Sequence, residues 1–176
     1  TAKGYELDMT VDASLYGLVA FGTFSPESSM VASTMNAVKE KLWVKTSVGG
    51  IARYTNDIYH RVGNDTERAT GNPWFICTMW LAEYEIMRAK NLTELNNALP
   101  TLEWVIDRAL ASGVLAEQID PYTNAPLSVS PLTWSHAVFV TTLIRYMKKK
   151  EELSLCDKCG NSMYYMHRHI QKPCGA

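Results

Sequence analysis

Hydrophobic positions recur at helical spacing along most of this chain. Asp12 is a suitable N-cap, and Leu15, Leu18 and Val19 after it predict a first helix ending near Gly22. Ser25, Pro26 and Glu27 have the chemistry of a helix start. Met30, Val31, Met35, Val38 and Leu42 then form an apolar stripe, with Lys39, Glu40 and Lys41 on the other face. A third helix is predicted from about Trp74. It is apolar nearly all round through Ala82, the pattern of a helix buried on every side, and becomes amphipathic from Glu83 to Lys90. A fourth is predicted from Thr93 to Ser112, through Leu95, Leu99, Leu102, Val105, Ile106 and Ala109, with Pro100 as a kink or restart and Gly113 as its C′ residue. The fifth opens on Ser130-Pro131 and runs through Val138, Leu143, Ile144 and Met147. It closes on Lys148, Lys149 and Lys150, cations suited to a helix C-terminus. No stretch reads as a convincing strand, so the expected class is all-α.

Two stretches break the pattern and carry the candidate chemistry. From Trp43 to Pro73 the chain is irregular, punctuated by Gly49-Gly50, Gly63 and Gly71, and it holds Arg53, Tyr54, Asp57 and Tyr59. Long loops of this kind in compact proteins are usually functional. Farther on, Glu117 lies past the end of the fourth helix, in a loop leading to the fifth, with Trp104 and Trp134 on the flanking helices. A carboxylate among aromatics and amides suits carbohydrate chemistry. Sugar rings stack on aromatic faces, sugar hydroxyls hydrogen-bond, and glycoside cleavage needs a carboxylate.

Length and charge narrow the choice. The 176 residues suggest one domain, or one domain and a small appendage. A formal net charge of -1 gives no electrostatic case for nucleic acid or an anionic membrane. No apolar run is long enough to span a bilayer and no secretion leader is visible, so the expected location is cytoplasmic, with the Asn64 and Asn91 sequons as chance matches. The chain starts at Thr1 rather than Met, which reads as a processed or excised piece. The organisation expected is a main unit over 1–150 and a tail over 151–176. In that tail, the two-residue gap between Cys156 and Cys159 lets both thiolates meet one metal. His169 and Cys174 complete the preferred set for a structural zinc, although the gap from Cys159 to His169 fits no standard finger. Free or redox-active thiols are the alternative.

Four ordered segments carry a family resemblance. They are Gly50-Ile51-Ala52-Arg53-Tyr54 with Asp57 and Tyr59, Gly71-Asn72-Pro73-Trp74-Phe75, Ala116-Glu117-Gln118, and Leu132-Thr133-Trp134-Ser135-His136-Ala137. Together they resemble glycoside hydrolase family 15, the family of glucoamylases, glucodextranases and some trehalases, over about residues 8–150. The resemblance implies an (α/α)6 barrel and inverting release of glucose from a non-reducing end, with no cofactor in catalysis. Inverting chemistry uses two carboxyl groups roughly 6.5–9.5 Å apart, one protonating the leaving oxygen and one activating water. By resemblance Glu117 is the general base, Arg53 and Asp57 line the sugar subsites, and Trp74 and Trp134 contact sugar. The residues themselves leave other readings open: a mutual i,i+4 ion pair for Arg53 and Asp57, core packing for Trp74 and Trp134, and a surface position after a helix end for Glu117. His136 reads as a hydrogen-bonded structural residue, and Trp43, Trp80 and Trp104 as packing residues.

The chain departs from the family in one large respect. The family's general acid lies upstream of all four segments, and five helices are fewer than half of a twelve-helix barrel. The expectation is therefore a C-terminal portion of the barrel that needs the missing N-terminal part and lacks hydrolase activity alone. The function expected is that of an inverting exo-acting α-glucosidase fragment, acting on an α-linked glucose oligosaccharide or disaccharide. The alternatives are a trehalase of the same family or a non-catalytic helical module.

Overall fold

A computed structural model describes residues 4–155; the candidate zinc ligands Cys156, Cys159, His169 and Cys174 lie outside the described residues. Asp12 caps the first element as its sequence predicts, its side chain accepting from the Ser14 N–H at 2.7 Å. A 3-10 turn over Ala13–Tyr16 runs into α1 (Gly17–Ala20), and the chain turns away at Gly22 with φ of 69°. Helix α2 (Ser29–Leu42) starts later than Ser25-Pro26 predicts. The Ser25 hydroxyl accepts from the Glu27 N–H and the Ser25 carbonyl from the Ser28 N–H, so these residues close a separate turn. Val31, Met35, Val38 and Leu42 are buried as expected, but Met30, on the first turn, is exposed.

Helix α3 (Phe75–Arg88) is the centre of the molecule, packed against the 3-10 turn over Ala13–Tyr16, the helix over Leu99–Ile106 and the helix over Thr133–Leu153. Its apolar circumference is buried from Phe75 to Met79, as its pattern demands. Burial continues past the point where polarity begins. Glu83, the first residue of the amphipathic stretch, is only 4% exposed. The Tyr16 hydroxyl donates to Glu83, Thr142 Oγ1 donates at 3.0 Å, and Arg145 Nε lies 3.6 Å away, which satisfies the buried charge. Desolvation and the Glu83 carboxylate push the Tyr16 phenol well above its ordinary value.

The fourth predicted helix is broken into α4 (Leu92–Leu95), a 3-10 turn (Asn96–Ala98) and α5 (Leu99–Ile106). Pro100 marks the restart, in the first turn of α5, where its missing N–H costs nothing. The helix ends six residues early, at Ile106 rather than Ser112. Arg108 and Ala109 bond to the third residue back and Leu110 N turns to Val114 O, which unwinds the last turns. Helix α6 (Thr133–Leu153) begins after Ser130-Pro131 rather than on it, and carries Ile144 and Met147 exposed. Among the described residues no helix is long and apolar enough to cross a membrane.

The irregular stretches form a ladder of very short pairings. Leu42–Val44 pairs with Gly50–Ala52, through Val44 N→Gly50 O and Ala52 N→Leu42 O, each 2.9 Å. Trp74 N bonds to Ile51 O at 2.9 Å and Ile119 N to Pro73 O at 3.0 Å. Strand β1 (Gln118–Ile119) then pairs antiparallel with β2 (Pro126–Leu127). The reading without strands is thus corrected: two-residue strands and isolated bridges bring three of the four motif segments side by side. Gly50 is required at the crossing. Its φ is 90°, and a Cβ there would lie 2.7 Å from the Trp104 ring and 2.8 Å from Pro73 Cβ.

Candidate functional site

The first half of the site is built on Asp57. Its carboxylate is 1% exposed and accepts from Arg53 Nε at 3.0 Å, Arg53 Nη2 at 2.9 Å and the Tyr59 N–H at 2.9 Å. The mutual i,i+4 pair allowed by the sequence is therefore present, but as a buried scaffold rather than a surface turn. The fork-to-fork contact fixes the plane of the guanidinium, which lies 4.7 Å from the Trp74 ring centre, 4.8 Å from Tyr54 and 5.1 Å from Tyr59. Burial lowers the Arg53 guanidinium, while the hydrogen bonds and charge of Asp57 more than offset this and hold it above its ordinary value. Arg53 Nη1 makes no hydrogen bond among the described residues, and the side chain is one third exposed, so this donor is available to a ligand.

Trp74 packs in the core, as one of its two readings allows. It precedes α3 and is 4% exposed, yet its indole N–H is buried with no partner among the described residues. Buried indole donors normally find an acceptor, so an orphan beside a stacked cation suits a site completed by a ligand hydroxyl. Gly71 sits against Asp57, where a Cβ would come within 2.8 Å of Asp57 Cβ.

The second half holds Glu117. The final motif segment anchors the backbone just before it. Leu115 N donates to His136 Nε2 at 3.0 Å, Leu132 N to Leu115 O at 3.0 Å, and the buried Ser135 hydroxyl to Ala116 O at 2.8 Å. His136 is thus a hydrogen-bonded structural residue. Glu117 N bonds to Val129 O at 2.9 Å, so both neighbouring segments fix the backbone. The carboxylate is held through one oxygen. Gln118 Nε2 donates to Oε2 at 3.2 Å and the Ser128 hydroxyl donates to the same atom. Oε1 has no partner among the described residues, and the side chain is partly exposed. Ser128 reaches Glu117 from a left-handed backbone, φ 62°, a conformation non-glycine residues seldom adopt and one that clusters at functional sites.

The two halves are joined. Gln118 pairs with Trp74 across the ladder, and the Asn72 side chain bridges Gln118 to the loop at His60–Val62. Trp134 stands apart in its contacts. It is 51% exposed and meets Trp80 edge-on at 5.8 Å, and Trp80 stacks on Tyr16. Trp104 is a packing residue: its indole donates to Val48 O at 2.7 Å and Arg108 stacks on its ring. Gln118, Ser128 and Asn72 carry the geometry around Glu117 without having been singled out by sequence reasoning. Gln118 and Asn72 stand inside quoted motifs, whereas Ser128 has no local signal. A cavity of about 310 Å³ between α2, α3 and the turn after it, lined by Met35, Lys39, Tyr84 and Arg88, contains none of these residues. No group of three or more His, Cys, Asp or Glu converges as a metal site among the described residues.

The profile of "Glycosyl hydrolases family 15" matches residues 2–144. An uncharacterized glycosyl hydrolase of Methanocaldococcus jannaschii is 33% identical over 144 residues, covering 76% of this chain and 22% of the relative. A glucoamylase of Clostridium sp. is 30% identical over 147 residues, covering 77% of this chain and 19% of the relative. The crystal structure of a bacterial glucoamylase complexed with acarbose superposes with a TM-score of 0.68 at 27% identity, covering 82% of this chain and 21% of that one. The chain thus spans about a fifth of the length of these proteins.

Proposed function

The chain belongs to glycosyl hydrolase family 15 and has the fold of part of its (α/α)6 barrel, and on that premise we propose that it supplies the general base of an inverting, exo-acting α-glucosidase. Glu117 is the base. The observation that carries this is the one-sided hold on its carboxylate: Oε2 receives Gln118 and Ser128, while Oε1 is left without a partner among the described residues. A base needs a fixed orientation and a free lone pair directed at water, and this arrangement supplies both. Arg53 Nη1 and the Trp74 indole N–H are donors for sugar hydroxyls, and Asp57 holds the guanidinium in place. Trp134 offers an exposed ring to a further glucose unit.

In the mechanism, water beside Oε1 loses a proton to Glu117 as it attacks the anomeric carbon from the face opposite the leaving group. A carboxylic acid on that other face protonates the departing oxygen, and the configuration inverts. The acid belongs to the portion of the barrel that this chain does not span, so the isolated 176-residue chain should lack hydrolase activity. The ligand class is an α-linked glucose oligosaccharide or disaccharide, in line with the glucoamylase relative and the acarbose complex. The test is ¹H NMR of glucose freshly released from maltose by the complete protein. The β-anomer should appear first, and initial α-glucose would refute inversion.

A further inference from the structure

Asn72 is 1% exposed and uses every hydrogen-bonding direction but one. Its Oδ1 accepts from the Val62 N–H at 3.1 Å. Its Nδ2 donates to His60 O at 2.7 Å and to Gln118 Oε1 at 2.8 Å. Backbone groups fix their own polarity: an N–H can only donate and a carbonyl can only accept. Val62 and His60 therefore dictate which end of the Asn72 amide is oxygen and which is nitrogen. Asn72 passes that polarity on. Because it donates to Gln118, the Gln118 carbonyl must face Asn72, and its NH₂ must face Glu117, as the 3.2 Å contact to Oε2 shows. Gln118 is fully buried, so no water offers its amide an alternative partner.

We propose that Asn72 is a positioning residue for Glu117, acting through Gln118 to couple the His60–Val62 loop to the orientation of the base. This inference rests on the reading of Glu117 as the base. A reversed Gln118 amide would set a carbonyl oxygen against the carboxylate, repelling the atom it now holds. The loop also has cause to be rigid. His60 sits in a left-handed backbone at φ 51°, and Tyr59 packs edge-on against its ring at 4.4 Å while lying beside the Arg53 guanidinium. The same asparagine that secures the His60–Val62 loop thus sets the donor that secures the base.

The test uses the complete protein, with any segment before Thr1 retained, and maltose hydrolysis. Asn72→Asp keeps the shape and the acceptor for Val62 but cannot donate, so it turns the Gln118 carbonyl toward Glu117. The expected result is a fall in kcat of about tenfold or more, the scale of a lost hydrogen bond to a charged group, with KM changed less than about threefold. In a Gln118→Leu background the same substitution should cost less than about threefold, because the amide it acts through is gone. Equal losses in both backgrounds, or a change in KM alone, would overturn the proposal. If Asn72→Asp does not fold, Asn72→Ser is read by the same two criteria. Glu117→Gln separates the two levels. Retained turnover there removes the reading of Glu117 as base, whereas collapsed turnover with an unchanged kcat in Asn72→Asp removes only the coupling.

Discussion

Replacing Asp57 with alanine removes one carboxylate and strands three donors. Arg53 Nε at 3.0 Å, Arg53 Nη2 at 2.9 Å and the Tyr59 N–H at 2.9 Å all lose their acceptor. Breaking a buried ion pair by deleting one partner costs about 3–5 kcal/mol. Here Asp57 is 1% exposed but the Arg53 side chain is 33% exposed, so water recovers part of the guanidinium's loss and the figure falls to about 3 kcal/mol. For a protein of this size that is a fall in Tm of about 6–12 °C. Asp57→Asn keeps an acceptor for Tyr59 N and the side-chain volume, so its cost should be about half. Urea unfolding followed by circular dichroism gives both values at constant m. Loss below about 0.5 kcal/mol in Asp57→Ala, or equal losses in the two variants, would refute the view that this carboxylate is the scaffold of the Arg53 cluster.

Three further outcomes are expected. Gly71→Ala places a methyl 2.8 Å from Asp57 Cβ, and the resulting overpacking should cost about 1–3 kcal/mol by differential scanning calorimetry and weaken maltose binding. Asp120, in the turn between β1 and β2, is pulled up by partial burial, but the Tyr122 and Thr123 N–H groups more than offset this and hold its carboxyl below the usual range. A depressed carboxyl stabilises above its unfolded value and loses that contribution as pH falls through the folded one, so the penalty of Asp120→Ala, about 1 kcal/mol at pH 7, should shrink toward pH 3 in thermal melts. A structural zinc on Cys156, Cys159, His169 and Cys174 predicts about one equivalent of metal after gentle purification; a value well below one contradicts it.

The legible parts of this fold are those where one residue pattern serves one structural role. Phe75 to Ala82 is apolar all round because α3 is enclosed all round, and Val31, Met35, Val38 and Leu42 share a stripe because one face of α2 meets the core. Local signals misled where a competing tight turn took over the helix end. Ser25 closes a turn of its own, and α5 stops at Ile106, where i→i−3 bonds replace the helical ladder. The burial of Glu83 is not legible locally, because Tyr16 and Thr142, which satisfy it, lie far from it in sequence. The short pairings among Gly50–Ala52, Pro73–Trp74 and Gln118–Ile119 are too brief to show a period, so the proximity of three motifs was legible only through their resemblance to a family. Arg53, Asp57 and Trp74 are brought together as named, whereas Trp134 joins a different aromatic row. Asn72 and Ser128 escaped notice because an amide and a hydroxyl carry meaning only through what they touch.

The role of Glu117 is tested most directly by Glu117→Ala in the complete protein, assayed on an activated α-glucoside with and without azide. Removing the base should lower turnover by about 10²–10⁴-fold. Azide needs no deprotonation, so it should restore turnover by attacking where water normally does, giving β-glucosyl azide. Wild-type turnover in the variant, or α-glucosyl azide as the rescued product, would contradict the account.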